Sequence, residues 1–447
     1  MQKNDIYEIE ITGMTDDGNG VGRAEGIAVF VPYTILGETV RVVIIKLMKS
    51  YAVGKLIEVL KPSKERVKSD CEYFYKCGGC ALRHMSYDEE LRFKQQKVSD
   101  CFSRIGGFNN LRINSIVPSD SRIRYRNKSQ FPVTPEGIGM YANHSHRLIE
   151  LDDCLVSHES SKKIANAVKY WIKTYSIQPY DEKTGRGIIR NIYTRYGKNG
   201  ALVCIVTASH KLPHSEELVD ELKNCGANVG GVLQNINTKN TNVVLGKETK
   251  TLWGDSELID NIGHTEFYIS PLSFYQVNKA QTEKLYTIAR EYANLKGHET
   301  IWDMYCGIGT IGQFMADRCK KIIGVEVVPE AVENAVRNAK HNGIKNAEYY
   351  CGKAENVIAD LVRHGEIPDA VILDPPRKGC DKRLIDILSS IHELKRIVYI
   401  SCKPSTLARD AKIFAENNFK VKSVTPVDMF PGTPHVECVV LMSRVEK

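Results

Sequence analysis

The stretch Thr300-Ile301-Trp302-Asp303-Met304-Tyr305-Cys306-Gly307-Ile308-Gly309-Thr310-Ile311-Gly312 decides the fold. A short apolar run ends in an acid and then breaks into glycines that open a second apolar stretch. That is the pattern of a parallel strand turning into a helix at the edge of an open α/β sheet, where ligands bind. Glycines at such a turn let a ligand come close to the backbone. The pattern repeats downstream: strands are expected at 300–303, 321–326, 347–350, 370–374 and 396–400, with amphipathic helices between. Two more strands, 420–427 and 436–442, follow with only a short loop between them, a pair that closes a Rossmann-like sheet.

Toward the N-terminus the grammar changes. β-Branched runs at 27–31, 39–45 and 51–60, separated by turns such as Asp16-Asp17-Gly18-Asn19-Gly20, predict a small OB-like barrel, a fold that holds nucleic acid. Basic residues Arg41, Lys46, Lys49, Lys55, Lys61, Lys64, Arg66 and Lys68 run through and beyond its second half. A polar helix is expected at 86–105 and another at 160–175. The region from 112 to 265 mixes helix-like and strand-like runs, an α+β character without a legible topology. Three domains are therefore expected: residues 1–62, 63–270 and 271–447.

Composition narrows the function. The chain has 447 residues, 42% hydrophobic and 26% charged, with a net charge of +7, which suits a polyanionic partner and equally suits plain solubility. Thirteen cysteines, odd in number and scattered, argue for reduced thiols rather than a disulfide framework. With no leader-like N-terminus and no apolar run of about 18 residues, a cytoplasmic protein with no membrane role is expected.

Five motifs carry chemistry. Gly307-Ile308-Gly309-Thr310-Ile311-Gly312 also satisfies a dinucleotide fingerprint, so a nicotinamide oxidoreductase is one reading. Glu326, ending the second strand, could accept both ribose hydroxyls of either cofactor. Asp303 and the rigid Asp374-Pro375-Pro376-Arg377-Lys378-Gly379 turn favour S-adenosylmethionine. Cys402, in Ser401-Cys402-Lys403-Pro404, stands at the start of a helix, where backbone N–H groups would lower its pKa and make it a nucleophile. Glu437 is a lone carboxylate on an apolar strand, either a satisfied structural group or a base raised by burial. Cys71, Cys77 and Cys80 form a Cys-x5-Cys-x2-Cys cluster for which Cys154 is the best distant fourth ligand. Zinc would accept four thiolates, whereas three clustered cysteines plus a distant one is common for iron–sulfur centres.

These segments, together with Phe274-Tyr275-Gln276-Val277-Asn278 and His435-Val436-Glu437, resemble the RNA uracil-5-methyltransferase family, in particular its iron–sulfur branch that acts on 23S ribosomal RNA. The resemblance covers essentially the whole chain. It implies an N-terminal OB-like TRAM β-barrel, a central α+β domain and an α/β Rossmann-like class I S-adenosylmethionine-dependent methyltransferase domain. It further implies Cys71, Cys77, Cys80 and Cys154 as ligands of a 4Fe-4S cluster and Gln276, Tyr305, Glu326 and Asp374 as contacts to S-adenosylmethionine. Cys402 is implied as nucleophile and Glu437 as base. The implied partner is 23S rRNA, its target uridine flipped out, bound by a monomeric enzyme. The barrel and Arg122, Arg124, Arg126 and Lys128, interleaved with Tyr125, are the expected RNA contacts. Met304, Tyr275 and Lys403 stand where the family more often has Leu, Phe and Asn. The nearest rival is a tRNA-directed enzyme. A non-catalytic RNA-binding assembly factor is the alternative from another class.

Overall fold

The computed structural model describes residues 1–241 and 243–445. Its contacts divide the chain into two discontinuous units. One is Met1–Lys97 with Met140–Ile149 and Phe430–His435; the other is Val98–Gly139 with Glu150–Met429 and the chain from Val436.

In the first unit, β1 (Ile6–Glu10), β2 (Gly13–Met14), β3 (Gly20–Ala24), β4 (Ile27–Val31), β5 (Thr39–Leu47) and β6 (Tyr51–Lys61) make one sheet, ordered β1-β5-β6-β4-β3-β2. The period-two pattern of β5 explains it: Val40, Val42 and Ile44 point into a core with Ile9, Ile11, Val29 and Val31, while Arg41 faces out. Arg41 is held by Glu8 at 2.7 Å and Glu58 at 2.8 Å, and Arg66 by Glu38 at 2.5 Å. These two cations are therefore spent within the fold, whereas Lys46, Lys49, Lys55, Lys61, Lys64 and Lys68 remain exposed. Helix α1 (Tyr87–Asp100) continues as a π-helical turn, Cys101–Ile105.

The chain builds two further large sheets. The first, ordered β13-β12-β11-β10-β7-β8-β9, is built from β7 (Lys128–Thr134), β8 (Gly137–Tyr141), β9 (Leu148–Glu150), β10 (Ile189–Gly197), β11 (Gly200–Thr207), β12 (Val229–Ile236) and β13 (Glu248–Gly254). Helix α2 (Ser160–Thr174) precedes β10, and α3 (Ser215–Asn224) is the crossover between the parallel pair β11 and β12. A hairpin, β14 (Leu258–Ile262) with β15 (Thr265–Ile269), leads to α4 (Lys279–Ala293), whose first turn is capped by the Asn278 side chain.

The other sheet is Rossmann-like. Its strands β16 (Thr300–Met304), β17 (Lys321–Glu326), β18 (Ala347–Cys351), β19 (Ala370–Leu373), β20 (Arg396–Ser401), β21 (Phe419–Val427) and β22 (Glu437–Arg444) are ordered β18-β17-β16-β19-β20-β22-β21. The first five are parallel; β22 runs antiparallel between β20 and β21. Helices α5 (Thr310–Phe314), α6 (Pro329–His341), α7 (Ala354–Arg363), α8 (Lys382–Ser390) and α9 (Pro404–Glu416) connect the parallel strands. Trp302, Ile323, Val371, Leu373, Ile397 and Tyr399 are wholly buried in its core, as expected of strands covered on both faces. The order reverses at β16, which has β17 on one side and β19 on the other, and that is where such a sheet opens a crevice.

Candidate active site

Register brings the candidate residues to one edge. Met304 pairs with Val325 and Leu373, and Leu373 with Tyr399, so Tyr305, Asp374 and Cys402 each stand one residue past the end of their strands and Glu326 is the last residue of its own, all at one edge of the sheet.

On the cofactor side, Gly309 lies at φ +82, and a Cβ there would sit 2.6 Å from Gln313 Nε2 and 2.9 Å from the Tyr349 hydroxyl. Gly312 N–H donates to Asp303 Oδ2 at 2.8 Å. The other oxygen of Asp303 is buried with no donor among the described residues. The Glu326 carboxylate accepts from the amides of Gly307 (3.1 Å), Val327 (2.8 Å) and Val328 (3.0 Å), which fixes it at the mouth of the loop. Tyr305 is left-handed at φ +63, and its hydroxyl is directed to Cys380 and Asp381. Gln276 is buried, and its carbonyl accepts from Asn127 Nδ2 at 3.0 Å. Burial pushes both Asp303 and Asp374 up to about 7, with the neighbouring carboxylates adding to the rise at Asp303. Carboxylates short of counter-charge, an orphaned buried oxygen and a fixed carboxylate at a strand end suit a ligand with a cationic sulfonium and ribose hydroxyls, so the residues present fit S-adenosylmethionine.

Ser401 pairs with Cys438 across β20 and β22, so Cys402 and Glu437 lie at the next rung. Glu437 is 4% exposed; burial first, then the Asp374 charge, pushes it up to about 8, with Arg377 opposing. Cys402 is half-buried. Burial raises its thiol, and Glu437 and Asp374 add to the rise, while the Arg377 guanidinium, in hydrogen-bond reach, lowers it. The helix start was expected to lower this thiol, and the net direction is the reverse. Pro404 has no N–H to offer, and the Lys403 amide donates to Ser401 Oγ at 3.1 Å. Arg377 is the residue that motif reading left without a role, although it sits inside the Asp-Pro-Pro turn.

Arg124 clamps a loop, donating to Asp153 Oδ1 (2.9 Å) and to the carbonyls of Cys154 and Ser157. Lys128 stands directly opposite Arg195 across β7 and β10. Burial together with Arg195 and Arg126 pulls Lys128 down to about 8. Arg195 is itself buried and, among the described residues, held by neutral oxygens, those of Tyr193 and Ser273. The same segment carries Asn127, whose amide donates to Val277 O at 2.8 Å, so these cations lie beside the Gln276 loop.

Cys71, Cys77 and Cys80 are half-buried in the first unit, with Arg83 in electrostatic contact with Cys71 and Cys80; Cys154 is half-buried in the second unit. Among the described residues, no three His, Cys, Asp or Glu side chains are gathered to hold a metal ion. The described residues also contain no helix long and apolar enough to cross a membrane.

A switch-point crevice with this loop and these carboxylates defines a class I methyltransferase. Residues 261–445 match the family described as tRNA (Uracil-5-)-methyltransferase, and residues 2–57 the TRAM domain. An RNA methyltransferase of Clostridium tetani is 44% identical, the match spanning 99% of this chain and 97% of that one. One of Halalkalibacterium halodurans is 42% identical over 99% and 98%. The structure of Pyrococcus abyssi tRNA (uracil-54, C5)-methyltransferase in complex with S-adenosyl-L-homocysteine is similar over 97% of this chain and 99% of that one, with a TM-score of 0.81 at 28% identity. The chain belongs to the RNA uracil-5-methyltransferase family, and carries that family's TRAM domain.

Proposed function

We propose that the protein methylates C5 of a uridine in 23S rRNA through a covalent bond between Cys402 and C6 of the base. The observation that carries the chemistry is the pairing of Cys402 with a buried, weakly acidic Glu437 at one rung of the sheet. Bound S-adenosylmethionine supplies an electrophilic methyl group, held by Gln276, Tyr305, Glu326 and Asp374. The Cys402 thiolate adds to C6, and the electron pair released into the ring makes C5 nucleophilic. C5 would then take the methyl that bound S-adenosylmethionine supplies, the neutral thioether leaving as the sulfonium–methyl bond breaks. Glu437 then removes the C5 proton, and its high proton affinity suits that task. The electrons left on C5 re-form the double bond as the C6–S bond breaks, freeing the thiolate.

RNA recognition rests on the exposed lysines of the barrel, on Arg126 and Lys128, and on Phe274, which is 69% exposed next to the Gln276 segment and offers a face for base stacking. The buried Arg195 opposite Lys128 is a like charge that destabilises the sheet, and a phosphate on Lys128 would offset it. Cys71, Cys77, Cys80 and Cys154 are proposed to hold a 4Fe-4S cluster. Thiol chemistry and the nearby Arg83 charge support this, and no catalytic step runs through it. Iron and acid-labile sulfide in anaerobically purified protein test it.

The deciding experiment incubates the protein with 5-fluorouridine-substituted 23S rRNA and tRNA, because fluorine blocks release. A denaturation-resistant adduct with 23S rRNA that disappears in Cys402→Ala is expected. An adduct with tRNA alone would move the substrate to tRNA, as the Pyrococcus enzyme's name has it, and no adduct with either would refute the mechanism.

A further inference from the structure

Asp410 is a carboxylate 1% exposed on α9, two turns after the proposed nucleophile, and no step of methyl transfer uses it. Its Oδ2 accepts the Cys380 N–H at 2.8 Å and the Tyr399 hydroxyl of β20 at 2.7 Å. Its Oδ1 takes two bonds from Arg409, at 2.8 and 2.7 Å, and Arg409 in turn donates to the Lys378 carbonyl at 2.9 Å. Thr406, on the same helix, donates to the Arg377 carbonyl at 3.2 Å. Three side chains of α9 thus grip the backbone at 377, 378 and 380, the turn that also carries Asp374. Gly379 explains how they come so close: it sits at φ +81, and a Cβ there would lie within 2.5 Å of Arg409 Nη2, with the Asp410 carboxylate nearer still. The turn has room for nothing larger because it is pressed onto the carboxylate.

We propose that Asp410 is a positioning residue: it staples the Asp374–Cys380 turn to the nucleophile's own helix and so sets the guanidinium of Arg377 at the Cys402 thiol. A buried carboxylate that accepts from two other elements, the Cys380 amide of the turn and the Tyr399 hydroxyl of β20, and is held by Arg409 of its own helix fixes geometry more firmly than side-chain packing alone. Without it the turn is tied to α9 only by Thr406 and by an Arg409 that has lost its anchor. The charge beside the thiol would then be free to leave. The inference rests on Cys402 being the nucleophile, and its test is read on the thiol itself so that the two can fail separately.

The experiment measures the pH dependence of Cys402 alkylation by iodoacetamide, resolved by peptide mass spectrometry, in the full-length protein. The variants are Asp410→Ala, Asp410→Asn, Tyr399→Phe and Arg377→Gln. Asp410→Ala is expected to move the alkylation profile to higher pH by as much as Arg377→Gln does, with no further movement in the double variant. Asp410→Asn, which retains an acceptor for the Cys380 amide, is expected to fall between. Methyl transfer by Asp410→Ala should drop in kcat by about 100-fold, the scale of an ångström of misplacement, with KM for S-adenosylmethionine changed less than about threefold. If Asp410→Ala does not fold, Tyr399→Phe, which removes one of the three donors, must show the same upward movement in smaller degree. A lowered melting temperature with an unmoved alkylation profile would overturn the proposal and leave Asp410 a packing residue. Wild-type activity in Cys402→Ala would instead overturn the nucleophile assignment, whatever the profiles show.

Discussion

The proton affinity of Glu437 makes a quantitative prediction. Its rise from the ordinary carboxylate value to about 8 corresponds to about 5 kcal/mol favouring the protonated form. The group is only 4% exposed, so solvent screening takes little from that figure. The sign follows directly: below about pH 8 the group is protonated and cannot act as base, and each pH unit further down removes about tenfold of the active form. The Cys402 thiol is raised as well, so it too is mostly protonated across this range. The kcat/KM for methyl transfer should therefore rise with a slope near two on a logarithmic plot from pH 6 to 8. The slope should then fall to one as Glu437 completes its ionisation. Replacing Asp374 with Asn removes a charge that raises Glu437, so the first break should move to lower pH even as cofactor binding weakens. The assay is transfer of labelled methyl to RNA at substrate concentrations well below KM, with buffers overlapped between pH 5.5 and 9.5. A profile flat between pH 6 and 8, or a single break between 4 and 5, would refute the assignment of a buried, proton-holding Glu437 as base.

Gly312→Ala places a methyl 2.9 Å from Asp303 Oδ2, against the amide bond that closes the cofactor loop, and is expected to weaken S-adenosylmethionine binding at least tenfold by calorimetry. Lys128→Ala is expected to reduce RNA affinity and the slope of log affinity against log salt by roughly one contact. Because Lys128 loses its proton near pH 8, the wild-type protein's affinity should fall above that pH and the variant's should not. His84 is buried beneath the Thr34 carbonyl, and burial pulls it down to about 4. The unfolded chain takes up a proton near 6.5 while the folded chain refuses it until about 4. Stability is thus complete above pH 6.5 and is lost by about 1.4 kcal/mol per pH unit down to 4, about 3 kcal/mol in all. Urea unfolding followed through the N-terminal unit should show this loss, and His84→Gln should remove it.

Where the chain writes local periodicity, the fold is legible. The apolar runs at 300–303, 321–326 and 370–374 are strands within a residue of expectation, because a strand covered on both faces must be continuously apolar. The closing pair was visible for the same reason. In the region from 112 to 265, β10 pairs antiparallel with β7, some sixty residues upstream, while β11 runs parallel to β12 around α3; no local signal encodes such partners. The π-helical turn at Cys101–Ile105 was hidden inside a run that reads as ordinary helix. The edge positions of Tyr305, Glu326, Asp374 and Cys402 could be read from motifs at strand ends. The direction of the Cys402 shift could not, since it depends on Glu437, thirty-five residues away, and on Arg377. Arg41 and Arg66 read as nucleic-acid contacts until their partners Glu8, Glu58 and Glu38 are seen, each distant in the chain.

The place of β22 in the sheet has a consequence for biosynthesis. It is wedged between β20 and β21, both of which leave the ribosome before it, and it alone brings Glu437 to the rung beside Cys402. A nascent chain that has reached Val427 already carries the thiol, the glycine loop and the Asp-Pro-Pro turn, yet it has nothing to take the proton from C5. On the proposed mechanism, insertion of β22 is the step that supplies the base, and a slip of one residue as it inserts would present Val436 or Cys438 in place of the acid.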